Sequence, residues 1–379
     1  MDLFSDILQP LPSPVPISTV VEQVSKTIVP SHHPETPKPS RTPQTARLGL
    51  PTPRQNPWQR VGRALSPAAA TDPTVAIREA ELDWEVSRVD LRTADRLDPI
   101  PDFAAIRRSD TGKILGVVGP DYEPFQNAGM FAVFSDLARV GRDDGGLPFT
   151  LETAGAFSHG KVVWALAHLP DLGIRIGDDE ARTYLLVSNG HTGNKTLIIA
   201  PTTIRVVCRN TLAMAEAQAK ANRRLGLAGG FTLKHLPGIH ESVNQAKDAF
   251  AAVIRSHAST KAAWNRLADI PLNRKLEQEF MTQVFGIPGP DETDRAKALR
   301  KSREERIAGI LASPTSQLKG TKDSLLSALF AVGEWSDHDR MTRTSDGGDA
   351  DESRLFSTTF GSGADLKERA WDAAIGLAA

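Results

Sequence analysis

The apolar positions change period along the chain, and each change marks an element. Asp72 or Thr74 is placed to cap a helix that runs through about Ala80. Leu82-Asp83-Trp84-Glu85-Val86 alternates apolar and polar, which predicts a half-buried strand. Phe103–Arg107 and Lys113–Val118 flank the turn Ser109-Asp110-Thr111-Gly112 and predict a hairpin. Met130, Phe131, Val133, Phe134 and Leu137 have helical spacing, with Asn127 as N-cap and Gly141 as the stop. Strand-like runs follow at Thr150–Thr153, Lys161–His168, Thr183–Ser188, Leu197–Ile199 and Thr202–Val207. Their connections are too short for parallel crossovers, so they predict an antiparallel meander. Asn210 then caps a long helix through about Arg224, and from His240 onward the spacing is helical. Ile287-Pro-Gly-Pro290 breaks that helical stretch. The expected fold class is α+β: an antiparallel β-meander flanked by helices, followed by a mainly helical C-terminal region.

Composition divides the chain further. Of 26 prolines, 14 fall in residues 1–75. Proline removes backbone donors and restricts the residue before it, so this extension is expected to be disordered. The expected division is a Pro-rich extension over 1–55, an α+β core over 56–235 and a helical region over 236–379. Leu3, Phe4, Ile7 and Leu8 have helical spacing and offer a short element for docking a partner.

Charge changes the picture only locally. The chain carries 45 Lys plus Arg against 46 Asp plus Glu, which excludes a uniformly basic coat. The stretch from Thr36 to Thr71 nevertheless holds six basic residues and no acid. Arg205, Arg209, Lys220, Arg223 and Arg224 face a single acid, Glu216. The last three of these are spaced to share a helix face. A phosphate backbone rewards such a face through counterion release, so these five are the candidate nucleic-acid residues. A solvated helix face explains the same pattern. A second basic group, Arg295, Lys297, Arg300, Lys301, Arg303 and Arg306, offers a phosphate backbone a weaker face, because Glu304 and Glu305 dilute it and favour internal helix pairs.

Candidate chemistry is sparse. No Walker loop, G-x-G-x-x-G, C-x-x-C or H-E-x-x-H occurs, so no cofactor and no metal is expected. Gly116 and Gly119 read as turn or bulge residues. Cys208 follows a strand and precedes Arg209, a setting that lowers a thiol pKa, but a small buried residue fits the same place. The turn Ser188-Asn-Gly-His-Thr-Gly-Asn194 offers a ligand loop through Asn189, His191 and Asn194. One cysteine excludes an internal disulfide. No apolar run approaches the roughly 18–20 residues of a membrane helix, and no basic segment precedes an apolar run at the start. A cytoplasmic protein without membrane contact is expected, with self-association left open.

Several phrases together resemble one family, the phage/plasmid-like proteins catalogued as domain of unknown function 932. They are Asn56-Pro-Trp-Gln-Arg-Val-Gly62, Ala80-Glu-Leu-Asp-Trp-Glu-Val86 and Leu115-Gly-Val-Val-Gly-Pro-Asp-Tyr-Glu-Pro-Phe-Gln-Asn127. Further on come Glu152-Thr-Ala-Gly155, Lys161-Val-Val-Trp-Ala-Leu166, Ser188-Asn-Gly-His-Thr-Gly193, Arg205-Val-Val-Cys-Arg-Asn-Thr-Leu212 and Phe360-Gly-Ser-Gly363. The resemblance covers about residues 56–376. Thr192 stands where the family's turn carries an acid, which weakens a metal or acid–base role there. The resemblance implies a mobile-element context and supplies no catalytic site. By analogy of fold alone, the predicted body is similar to phage single-strand annealing proteins. The expected function is therefore non-enzymatic nucleic-acid binding, with single-stranded DNA as partner and Tyr122 or Phe125 stacking on bases. The alternatives are an interaction protein acting through its N-terminal tail, or an enzyme using Cys208 or His191.

Overall fold

In the computed structural model the described residues are 58, 61–143, 149–205, 211–212, 230–248, 260–342, 344 and 349–379. The Pro-rich extension expected over 1–55 lies outside this set.

Asp72 accepts from the Thr74 and Val75 amides and opens helix α1, Pro73–Glu79, as its side chain and the early proline dictate. Leu82, Trp84 and Val86 are buried in alternation. The paired ladder, however, begins only at Val86, so strand β2 is Val86–Arg92 and the residues before it lie outside the ladder. The hairpin of β3 (Pro99–Arg108) and β4 (Ile114–Val118) turns at the expected place and completes a three-stranded antiparallel sheet. Helix α2, Asn127–Asp143, runs through Gly141 instead of ending there.

The larger sheet holds β1 (Arg63–Ala64), β5 (Thr150–Phe157), β6 (Val162–Ile176), β7 (Asp179–Gly190), β8 (Leu197–Arg205) and β10 (Phe231–Leu233) in that order. Strand β9, Thr211–Leu212, also pairs with β8, and every ladder is antiparallel. Two expectations are corrected here. The runs expected at 197–199 and from 202 onward belong, as far as Arg205, to one strand that passes through Pro201 opposite Leu185. The helix expected from Asn210 does not begin there, because Thr211 and Leu212 pair with Ile204 and Thr203.

The sheet is covered on both faces. Val163, Ala165, Ala167 and Leu169 of β6 pack with α1, α2 and the small sheet. Their neighbours Val162, Trp164 and Leu166 face a second cluster with Trp58, Tyr184 and Leu355. Burial on both faces explains the continuous apolar runs of the central strands.

The helical region comprises α3 (Ile239–Asp248), α4 (260–268), α5 (Arg274–Phe285), α6 (Asp294–Leu311), α7 (Leu325–Glu334), α8 (Ala350–Phe360) and α9 (Ser362–Leu377). Helix α8 lays Phe356 and Phe360 edge-on against Phe157 of the sheet, 5.5 and 5.9 Å away. A buried polar joint ties sheet to helices. Arg205 is fully buried, holds Asp179 with two guanidinium nitrogens, donates to the Thr315 carbonyl at 2.8 Å and lies 4.1 Å over Phe330. Gly177 sits beside this joint at φ +57°, where a Cβ would fall 2.0 Å from the Lys319 carbonyl oxygen. Only glycine fits a left-handed residue pressed that closely against backbone.

Candidate functional site

Two polar clusters could carry function, and their chemistry is opposite. The first lies where the end of β7 meets the segment Tyr122–Asn127. The Asn127 amide does not cap α2. It donates to the carbonyls of Leu82 at 3.0 Å and Trp84 at 3.1 Å. With both its hydrogens used, its oxygen accepts from Nε2 of His191 at 2.9 Å. That bond fixes the tautomer: neutral His191 carries its proton on Nε2 and leaves Nδ1 a bare acceptor. Asn189 donates to the Phe125 carbonyl at 2.6 Å, and the Tyr122 hydroxyl donates to the Gly190 carbonyl at 3.0 Å. His235 stacks on Tyr122 with ring centroids 5.0 Å apart and donates from Nδ1 to the Glu123 carbonyl. Gly116 meets the same turn from β4, and a Cβ there would sit 2.7 Å from Thr192 Cα.

This seam is closed. Asn189 and His191 have no solvent exposure. Burial, with a smaller contribution from His235, pushes the His191 pKa down to about 3. His235 is lowered in the same way, chiefly by burial. A neutral, enclosed imidazole cannot meet a substrate from solution as a general base. His191 and Asn189 are therefore placed as the lock between hairpin and core. Asn194, beyond the strand, is exposed, and its side chain accepts from Thr192. Tyr122 and Phe125 are 7 % and 2 % exposed, so they do not offer faces for base stacking.

Of the five candidate nucleic-acid residues, Arg205 is taken off the surface by Asp179 and Phe330. A fully buried guanidinium held in this way cannot meet a phosphate at the surface. Arg209, Lys220, Arg223 and Arg224, together with Cys208, lie outside the described residues.

The second cluster is open. Part of the second basic group converges on a cleft of roughly 850 Å³ between α5, α6 and the segment after α7. Its walls include Phe285, Arg300, Arg303, Arg306, Trp335 and Arg340. At the outer edge Glu292 grips Arg300 with both oxygens, at 3.2 and 3.0 Å, and Asp339 holds Arg306 at 3.0 Å. An adjoining recess of roughly 510 Å³ shares Phe285, Arg303, Trp335 and Arg340 with this cleft and adds the exposed Arg369, and no acidic residue lines it. Arg303 lies 3.9 Å over the Phe285 ring. Among the described residues nothing accepts from its Nε, nor from one terminal nitrogen of Arg340. Burial lowers the pKa of both, and for Arg340 the neighbouring Arg369 adds to the effect. Glu304 and Asp365 are close enough to offset this in part, but neither forms an ion pair with these two arginines.

The sequence between α7 and α8 builds the back wall. Trp335–Asp339 forms a π-turn, a wider coil than the α-helix it extends. Lys367 of α9 pins it with a 2.7 Å ion pair to Asp337, both groups buried. Arg354 donates to the His338 carbonyl. The turn thereby aims Trp335 and Arg340 into the recess, with Trp335 set edge-on to Phe285 at 5.9 Å. Ile287, Leu299 and Met341 leave an apolar rim 83 %, 59 % and 88 % exposed. Arg340, Arg369 and Trp335 were not among the residues that spacing singled out. Arg300, Arg303 and Arg306 were, but as paired helix charges. Among the described residues no group of three or more His, Cys, Asp or Glu side chains could hold a metal, and no helix is long and apolar enough to cross a membrane.

A family model described as Domain of unknown function (DUF932) matches residues 114–358. Neither a curated protein nor a solved structure matches the chain.

Proposed function

The chain belongs to the DUF932 family, and on the strength of its arginine cleft we propose that it is a non-enzymatic nucleic-acid-binding protein acting on single strands. The carrying observation is the combination inside one recess: three guanidinium groups, two rings and no carboxylate. Phosphates match the fork of donors on arginine, and bases match the half-buried rings and the exposed apolar rim residues. The mix of guanidinium groups, rings and an apolar rim suits a single strand, whose unstacked bases are free to meet it, better than a duplex, whose bases stay stacked inside. The enclosed His191 removes the most plausible catalytic base on the sheet side, which supports binding over chemistry. A mobile-element setting, a cytoplasmic location and self-association on a longer strand complete the reading.

Fluorescence anisotropy with labelled single-stranded DNA, at two salt concentrations, tests it. The expected result is binding at low salt that weakens steeply as salt rises, through counterion release. Absence of binding at low salt would sink the proposal.

A further inference from the structure

The recess differs from a groove that a strand runs through. Two of its three arginines carry nitrogens that are enclosed and unpartnered among the described residues, Nε of Arg303 and a terminal nitrogen of Arg340. An exposed phosphate backbone would pass outside such atoms. A group small enough to enter, rich in acceptors and doubly charged would reach them. A terminal phosphate monoester carries about −1.5 to −2 charge at pH 7 and presents three acceptor oxygens, whereas an internal diester carries one charge spread over two.

The donors are held in place before any ligand arrives. Arg340 donates its other terminal nitrogen to Ser362 at 3.1 Å, and Arg369 donates Nε to the Val284 carbonyl at 3.3 Å. Arg303 is flattened on Phe285, and the π-turn behind Trp335 is pinned by Lys367. Fixed donors favour a discrete anion over a sliding one, because little side-chain freedom remains to be lost on binding. The neighbouring rings and the exposed Met341 and Ile287 supply a surface for the nucleoside attached to that phosphate. This favours a nucleic-acid end over a phosphorylated peptide.

We infer that the recess formed by Arg303, Arg340 and Arg369 receives the terminal phosphate of a nucleic-acid strand, so that the protein reads strand ends in preference to strand interiors. This rests on the nucleic-acid reading above and narrows it.

The test compares full-length protein against ten-nucleotide oligothymidylates bearing a 5′-phosphate, a 3′-phosphate, or hydroxyls at both ends, with competition by a phosphothreonine peptide. One phosphorylated end is expected to bind at least tenfold tighter than the hydroxyl form. Arg340→Gln should abolish that preference while leaving residual binding of the hydroxyl form. Arg369→Gln, at an exposed position, serves as a second variant with intact folding and should reduce the preference severalfold. Equal affinity for all three oligonucleotides overturns the inference and leaves the nucleic-acid reading standing. No binding of any of them overturns both. Displacement by the phosphopeptide as effective as by a phosphorylated oligonucleotide also overturns it, since the rings would then add nothing.

Discussion

The sheet and the helical region each enclose polar groups that local pairing leaves incomplete, and the two remainders have opposite character. At the hairpin seam, beside the neutral indole Nε1 of Trp84, the buried atoms without a hydrogen-bond partner among the described residues are Nδ1 of His191, Nε2 of His235 and the Asn189 oxygen. All three are acceptors once the hydrogen bonds of Asn127 and Glu123 fix the tautomers. In the cleft, Nε of Arg303 and a terminal nitrogen of Arg340, donors on groups that stay charged, find no partner among the described residues. Neutral acceptors can be buried at modest cost and left closed. Unpaired guanidinium groups are costly unless a site opens to an anion. The contrast separates a lock from a binding site, although both looked alike as clusters of polar residues.

The contrast is sharpest between two arginines. Arg205 is fully buried against Asp179, whereas Arg340 has no carboxylate partner among the described residues. Arg205→Ala leaves Asp179 enclosed with only Thr321 among the partners described here. Stability is expected to fall by about 3–5 kcal/mol, read as a shift in the urea midpoint. A loss below about 1 kcal/mol would mean that the joint is not closed. Asn127→Ala removes the hub of the seam and strands the Leu82 and Trp84 carbonyls. The expected cost is about 3 kcal/mol, with DNA affinity per folded molecule unchanged. A large affinity loss in folded protein would move the binding site to the seam.

Acid separates the two regions without mutation. The His191 pKa lies near 3 in the folded chain, because of burial and then His235, against about 6.5 when unfolded. Between these values the unfolded state takes up the proton and the folded state does not. The contribution of His191 to stability is therefore complete above about pH 6.5 and is lost as pH falls towards 3. Between pH 7 and pH 5 this amounts to about 2 kcal/mol, and His235 acts in the same direction. His191→Gln should flatten the profile of the urea midpoint over that range. An unchanged profile would place the titrating group elsewhere.

Local pattern made part of this legible. The Asp72 cap, the hairpin over residues 99–118, the antiparallel order and the break at Ile287-Pro-Gly-Pro290 all follow from turn chemistry and period, which act over a few residues. The failures have one cause, partners far away in sequence. Asn127 has the right place for a cap, yet Leu82, Trp84 and His191 claim its amide. Pro201 interrupts an apolar run, yet the run continues as one strand beside β7. Arg205 carries a charge like any basic-patch residue, and only the fold brings Asp179 and Phe330 to it. The cleft needed the π-turn at Trp335, which no residue pattern announces. The one readable signal was the spacing of Arg300, Arg303 and Arg306 along α6 beside an aromatic residue at the end of α5.

Smaller effects are expected inside the cleft. Arg340→Gln removes a charge with no carboxylate partner among the described residues, so stability should change by less than about 1 kcal/mol. Binding of the phosphorylated oligonucleotide should weaken about tenfold, roughly 1.4 kcal/mol. Stability loss without loss of affinity would assign Arg340 to the architecture and erase the contrast with Arg205.

The smallest expected effect marks where the cleft ends. Lys301 belongs to the same basic run as Arg300 and Arg303, but it lies on the outer face of α6 and pairs with Glu305 at 3.8 Å across one helical turn. Both side chains are largely exposed, so solvent screens the pair and holding two long chains together costs entropy. Lys301→Gln should change stability by less than about 0.5 kcal/mol and oligonucleotide affinity by less than about twofold, since long-range attraction from one screened charge is weak. The measurement pairs a urea midpoint with anisotropy at the lower salt concentration. An affinity loss as large as that of Arg340→Gln would show that DNA tracks the whole helix face, and that the recess is only its deepest part.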